Sequence, residues 1–522
     1  MNEEIAEYYE ELYRLYIDEN QPLERRYRQL RESLERVVRE RIQGNSLQTT
    51  DLAARINYVA TQYELDIKEQ NQLHTFRLTS NDILNHRKFP AKEEFLRDLR
   101  AVAFAYRKMF AQDIPLKLFS VLPKQEITSL GKKEKKEYIR RIRVCFDYAD
   151  DTYLYVHPVD IIADEPIRVV YNKPGINHEF EETIKELWRY AQLNLLDVFV
   201  DREGIYTPSF IVLEPDYLID ISSLAECYKD YGSHPANYFL SRLVPIDNAR
   251  PLLLGNIANL FLDEWIHAGE EEPDYIDCMK KAFRQYPIEL AACAELRDPS
   301  KEKEFAKDCR MHFEHIRDIV QHTFLEPGYN LDKKDAVLEP SYICEALGIQ
   351  GRLDYMQRDM SSFIEMKSGK ADEFSIQGKV EPKENNKVQM LLYMAVLEYS
   401  MGQDRRRMHP YLLYTRYPLL YPARASWAQV RRVINLRNRI VAAEYGVQFH
   451  NHSDFTRNLL AQINPEVMNE RKLRGRFWEQ YLKPSISRFR EKLSALEPLE
   501  QAYFYTLYNF ITKELYTSKS GD

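Results

Sequence analysis

The sequence predicts a multidomain protein of mixed α/β (α+β) class: a helical region over residues 1–115, a small β-rich domain over 116–214, and a mixed domain over 215–522 that ends in a helical extension. Three observations carry this. The chain has 522 residues, more than one ordinary hydrophobic core accommodates. Its apolar spacing changes from a helical period to alternation near Tyr138 and back to mixed patterns after Tyr217. Finally, two β-suited segments joined by a polar turn precede a strongly apolar helix, which places a sheet late in the chain.

In the first region, LERRYRQLRESLERVVRERI sets Leu30, Leu34, Val37 and Val38 at three- and four-residue spacings, and AKEEFLRDLRAVAFAYRKMF follows the break at Pro90. Both predict helices of a bundle or coiled-coil appendage. RIRVCFDY, DTYLYVHPV and PIRVVYN are short β-rich runs separated by Asp-Asp and Pro-containing turns, as in a small barrel, OB-like in one form. A helix over EFEETIKELWRYAQ and strands around LLDVFVD and SFIVLEP complete that domain. Beyond Tyr217, Ser222 or Ser223 is the expected N-cap of an apolar helix, and PLLLGNIANLFLDEWIHA reads as a buried helix.

Hydrophobic residues at 44% and charged residues at 30% argue against extensive disorder. No window approaches eighteen uncharged apolar residues, so neither a membrane span nor a membrane partner is expected. The acidic start MNEEIAEYYEELYRLY has no signal-peptide character, which points to the cytoplasm. Six scattered cysteines without a C-x-x-C pair read as buried thiols. The net charge of −8 opposes nucleic-acid binding, but a groove needs only a local patch. The runs 132–143, 405–407 and 471–476 are such patches, although each alone reads as a solvated helix face or loop.

The chemically informative stretch is 339–370. Glu365 and Lys367 stand two apart on the second strand of the expected hairpin and so share a face, and Asp354, within the first strand, can lie beside them. Phe363, Ile364 and Met366 mark this strand as buried, where unpaired carboxylates cost several kcal/mol. Two carboxylates with a lysine suit a hard divalent cation, Mg²⁺ or Mn²⁺, to which the Met366 carbonyl can add an oxygen. A salt-bridge cluster on a solvated hairpin remains open on this spacing alone. Downstream, Gln389 and Tyr393 share one face of the helix KVQMLLYMAVLEY. Gly348 and Gly351 lead into the Asp354 strand, where glycine permits close backbone approach.

Gly351-Arg352-Leu353-Asp354, Glu365-Met366-Lys367-Ser368-Gly369 and Gln389-Met390-Leu391-Leu392-Tyr393 together resemble the G-x-x-D, (D/E)-x-K and Q-x-x-x-Y motifs of PD-(D/E)XK nucleases, in their RecB-like exonuclease branch. The resemblance covers about 215–430 and implies a restriction-endonuclease-like core, a mixed central sheet flanked by helices. It also implies Mg²⁺- or Mn²⁺-dependent hydrolysis of DNA, on single strands or ends, in repair, recombination or defence, with a helicase in cis or in trans. Asp354, Glu365 and Lys367 would be catalytic, and Arg352, Ser368, Gln389 and Tyr393 would meet substrate. Upstream, Gly255 to Asn259 resembles a G-x-x-x-H helix with asparagine in place of the metal-binding histidine, so Asn259 becomes a weaker ligand; His312 and His315 are the alternative, although a solvated histidine face is the plainer reading of that pair. Cys227 falls near the first cysteine of cluster-bearing relatives, but none follows Cys344, so no iron–sulfur cluster is expected. Gly369-Lys370 lacks the remainder of a phosphate loop, so no ATP site is expected. The ending fits a severed or partner-dependent chain. The competing readings are a catalytically weakened nuclease fold that binds nucleic acid, and a scaffold that recruits a helicase.

Overall fold

The computed structural model describes residues 3–42, 51–123, 138–161, 163, 165–244, 250–374, 379–424, 426–450 and 453–520, so part of the basic run 132–143 lies outside the described residues. The chain forms two compact units, one of Met1–Glu214 with Glu444–Asn451 and Leu515–Asp522, the other of Pro215–Ala443 and His452–Glu514. Both mix helices and strands, and the first opens with helices.

In the first unit, helices α1 (Glu3–Ile17), α2 (Leu23–Ile42), α3 (Leu52–Gln62), α4 (Ile67–Leu84) and α5 (Lys92–Phe110) bury one apolar stripe each. Leu30, Leu34, Val37 and Val38 all sit in the common core, where Cys145 of the first strand and Tyr190 of a later turn also lie. Helix starts follow local chemistry: the Asp66 carboxylate caps α4 and Glu69 returns the bond in a capping box.

Strands β1 (Tyr138–Ala149), β2 (Tyr153–Pro158), β3 (Ile167–Val170), β4 (Gln192–Val200), β5 (Tyr206–Thr207) and β6 (Phe210–Leu213) follow. Pairing runs β1–β2–β3–β5–β4, and β4 returns to β1, so five strands close into a barrel with β6 added beside β4. The β3–β5 pair is parallel. The helix expected over EFEETIKELWRYAQ is shorter: a 3₁₀ turn at His178–Phe180 and the helix Glu181–Lys185. Tyr190 takes φ 72° and its N–H donates to the Phe146 carbonyl at 2.7 Å, which docks the chain on β1 and ends the helix.

One core position gives a pH test. Asp98 on α5 is 1% exposed and accepts the Tyr27 hydroxyl at 2.9 Å. Burial pushes its pKa up to about 7 against that hydrogen bond. The fold therefore prefers the protonated acid. Below the unfolded value near 3.8 it carries no penalty; stability is lost as pH rises from there through about 7. Asp98→Asn keeps an acceptor for Tyr27 and is expected to stabilise the unit at pH 8 by roughly 2–4 kcal/mol relative to its effect at pH 4. Melting temperatures at both pH values check this; equal effects would exclude a raised carboxyl.

The second unit is built on a mixed five-stranded sheet ordered β16–β15–β12–β11–β8. Its members are β8 (Ala336–Leu338), β11 (Tyr355–Gln357), β12 (Ser362–Lys367), β15 (His409–Tyr414) and β16 (Leu419–Pro422). A three-stranded sheet, β7 (Ile219–Asp220), β10 (Ile349–Arg352) and β9 (Ser341–Cys344), adjoins it in sequence, and β13 (Asp372–Phe374) pairs with β14 (Lys379–Glu381). β8, β11 and β12 are antiparallel neighbours, and the helix Glu384–Met401 then carries the chain over to β15, which lies parallel to β12. Ile364, Met366, Tyr355, Tyr411 and Leu413 form one core with the helices Arg250–His267 and Pro299–Gln321. Alternation along β12 sends Glu365 to the opposite face, against the helix Glu384–Met401.

The antiparallel pair formed by β8 and β9 on one side and β10 and β11 on the other is kinked rather than continuous. Glu339 takes φ 48° before Pro340, and Leu353 donates to the Pro340 carbonyl while Glu339 donates to that of Asp354. Both strands bend at one level, so the segment expected as GRLDYM divides into β10 and β11 with Asp354 at the bend. Gly348 is likewise dictated by packing. It has φ +64°, and an added Cβ would lie 2.4 Å from the guanidinium of the fully buried Arg437, which donates to the Gly348 and Tyr217 carbonyls. No helix among the described residues is long and apolar enough to cross a membrane.

Candidate active site

Asp354, Glu365 and Lys367 come together. The Met366 N–H donates to Asp354 Oδ2 at 2.6 Å, which fixes the bend residue against the neighbouring strand. Lys367 Nζ donates to Glu365 Oε1 at 2.7 Å and to Gln389 Oε1 at 2.9 Å, and Gln389 Nε2 donates to Glu365 Oε1 at 2.6 Å. Glu365 is 3% exposed, and its Oε2 is buried with no hydrogen-bond partner.

The electrostatics follow from this crowding. Burial, then the Asp354 charge, pushes the Glu365 pKa up to about 8 against Lys367. Burial raises Asp354 as well, opposed by the Met366 N–H and by Lys367. Burial alone would depress Lys367, but Glu365 and Asp354 hold its ammonium charged and raise its pKa. Two carboxyls that resist ionisation even beside the Lys367 ammonium, one with an orphaned buried oxygen, form a site in which one positive charge does not offset two buried carboxylates. The N–H and C=O of one strand residue point to the same side, so the Met366 carbonyl lies toward Asp354. The donors present therefore fit a hard cation. No group of three His, Cys, Asp or Glu residues suited to a metal occurs among the described residues, so backbone, amide or water oxygens must complete any such shell.

The other expected residues are distributed unevenly. Gln389 is buried and engaged by both Glu365 and Lys367, while Tyr393 is buried and donates to the Arg352 carbonyl at 2.5 Å. In this structure the polar atoms of these two residues make hydrogen bonds within the site. Gly351 is needed for this packing, since a Cβ there would sit 3.1 Å from the Tyr393 hydroxyl and 3.0 Å from Ile221 Cδ1. Arg352 is exposed and pairs with Glu339 at 3.1 Å. Ser368 is half-buried, and its Oγ lies 3.4 Å from the place a Gly255 Cβ would occupy, so the helix Arg250–His267 passes beside the end of β12.

On that helix Asn259 is half-buried, one turn from Gly255 and one turn from Asp263. Burial, together with the charges of Glu339 and Asp354, pushes Asp263 up to about 6. Asp263 and Glu339 are residues that sequence reasoning missed; the i, i+4 spacing from Asn259 to Asp263 was the available signal for the first. Ser222 and Ser223 lie inside the helix Ile221–Ala225, whose N-cap is Asp220, because β7 runs straight into it. His312 is buried, which corrects the solvated reading, and His315 Nδ1 lies 2.9 Å from the Thr415 carbonyl. Cys227 and the other five cysteines are buried thiols.

No protein-family model matches the chain, and no curated protein does.

Proposed function

We propose that the second unit is a metal-dependent phosphodiesterase acting on DNA, of the PD-(D/E)XK type that its motifs resemble, working in the cytoplasm on single strands or ends and alongside a helicase. The observation that carries this reading is the buried Glu365 carboxyl, orphaned at Oε2, beside Asp354 and Lys367. An antiparallel strand trio followed by a helical crossover to a parallel strand supports it, as the mixed core the resemblance implies. So does the closed barrel of the first unit, an architecture that carries oligonucleotide sites in many proteins.

Asp354 and Glu365 would hold Mg²⁺ or Mn²⁺, with the Met366 carbonyl and, through its amide oxygen or a water, Asn259. When bound, the ion supplies Lewis acidity toward a phosphate oxygen and lowers the pKa of a coordinated water. Lys367 offsets the negative charge that develops on the phosphate and orients the attacking water. Gln389 fixes the Lys367 ammonium and the Glu365 carboxylate relative to one another, and Tyr393 anchors the Gly351–Asp354 segment.

Labelled single- and double-stranded DNA incubated with the purified chain, with and without Mg²⁺ or Mn²⁺, tests this reading. Cleavage that requires metal is expected; none with either ion would favour the binding module, which the asparagine at 259 supports. Asn259→His tests the metal shell separately. Imidazole is a better ligand than an amide for Mn²⁺ and gains little with Mg²⁺. Calorimetric titration should show tighter Mn²⁺ binding and nearly unchanged Mg²⁺ binding; no Mn²⁺ gain in a folded variant would place residue 259 outside the shell.

A further inference from the structure

Residues 471–492, RKLRGRFWEQYLKPSISRFREK, hold eight lysines and arginines against two glutamates, a local charge of +6 in a chain of −8. The sequence alone gives no reason to read 471–476 as more than a solvated loop. The structure adds three observations. Phe477 and Tyr481, one helical turn apart, are 57% and 63% exposed, with ring centroids 5.9 Å apart at 33°. Between them Trp478 is buried and packs edge-on against Tyr231 at 5.9 Å, so the exposed rings stand on a fixed base rather than on a loose tail. Lys472, Arg474, Arg476, Arg488, Arg490 and Lys492 are exposed around them.

The segment is also tied to the candidate active site. Arg471 pairs with Glu384, the first residue of the helix that carries Gln389, and the Arg471 N–H donates to the Tyr231 carbonyl at 3.1 Å. The next residue of that helix, Asn385, donates to Glu226 at 3.0 Å, and Lys367 is among the cations acting on Glu226.

Exposed rings on a rigid helix cost apolar exposure unless something stacks on them, and a surrounding excess of arginine selects a polyanion. Unpaired bases on a phosphate backbone satisfy both, whereas a duplex hides its base faces. We propose that residues 471–492 form a docking surface for single-stranded DNA, with Phe477 and Tyr481 as the stacking platform, feeding the site of Asp354, Glu365 and Lys367; the choice of DNA and the role in delivery rest on the nuclease reading, the binding of a single strand does not.

The test uses the full chain carrying Asp354→Ala, without divalent metal, and fluorescence anisotropy with labelled dT20, U20 and a duplex of equal length. Phe477→Ala with Tyr481→Ala is expected to weaken binding of the single strands about tenfold or more and to spare the duplex. Phe477→Trp with Tyr481→Phe should restore it. Arg474→Glu, Arg476→Glu and Arg488→Glu should flatten the salt dependence, by about 0.7 in slope for each phosphate no longer neutralised. dT20 is expected to bind at least as tightly as U20, and a clear preference for U20 overturns the assignment to DNA. Unchanged single-strand affinity in the aromatic variant, or no binding by the parent, overturns the proposal, as does duplex bound as tightly as single strand and equally weakened. Because the assay contains neither metal nor a competent site, absence of cleavage in the wild-type chain would remove the nuclease reading without touching this result.

Discussion

Asp354→Ala and Glu365→Ala are each expected to abolish metal-dependent cleavage of DNA while the chain stays folded. Each removes an oxygen donor from a site with only two carboxylates at its centre, so little remains to hold the ion. Loss of its charge stabilisation is worth several kcal/mol in the transition state, about three orders of magnitude in rate or more. Folding should survive for a reason visible in the geometry. In the absence of metal burial opposes the ionisation of both carboxyls, and the Asp354 charge opposes that of Glu365 further. Removing one relieves that opposition, so the metal-free variants should melt at or above the wild-type temperature. Glu365→Gln is the closest in shape, leaving an acceptor for Gln389 and Lys367. Cleavage of a labelled oligonucleotide in Mn²⁺, with melting curves as control, gives the answer. Either alanine variant cutting at wild-type rate would remove the site assignment.

Lys367→Ala is expected to lose about two to four orders of magnitude in cleavage rate, the loss typical of a missing electrostatic stabiliser. Metal affinity should survive when measured well above pH 8. Lys367 lowers the Glu365 pKa, so without it the carboxyl is protonated to higher pH and metal binding shifts in the same direction. The two effects separate cleanly: calorimetry across pH reports the carboxyl, and single-turnover cleavage at saturating metal reports the ammonium. Unchanged turnover at saturating metal would leave Lys367 as the salt-bridge partner of Glu365 and nothing more.

The sequence by itself determined the features that depend on neighbours along the chain. Alternation in SFIEMK put Glu365 and Lys367 on one face, helical spacing did the same for Gln389 and Tyr393, and Leu30 to Val38 declared a buried stripe in α2. These are consequences of periods of 2 and 3.6, fixed by backbone geometry. Tertiary structure decided whatever depends on which surfaces meet. It bent the segment from β10 to β11 at Asp354, because Glu339 and Pro340 distort the facing chain between β8 and β9 at the same level. It turned Gln389 and Tyr393 inward, because the helix carrying them lies on the face to which Glu365 points. It brought Asp263 and Glu339 within reach of Asp354's charge from 91 and 15 residues away along the chain, separations across which no local spacing rule operates. It also made the basic run after Glu470 more than a solvated loop, because burying Trp478 against Tyr231 leaves Phe477 and Tyr481 facing outward among the arginines. Local periodicity fixes the direction of a side chain relative to its own element; what that side chain meets is set only when the elements pack.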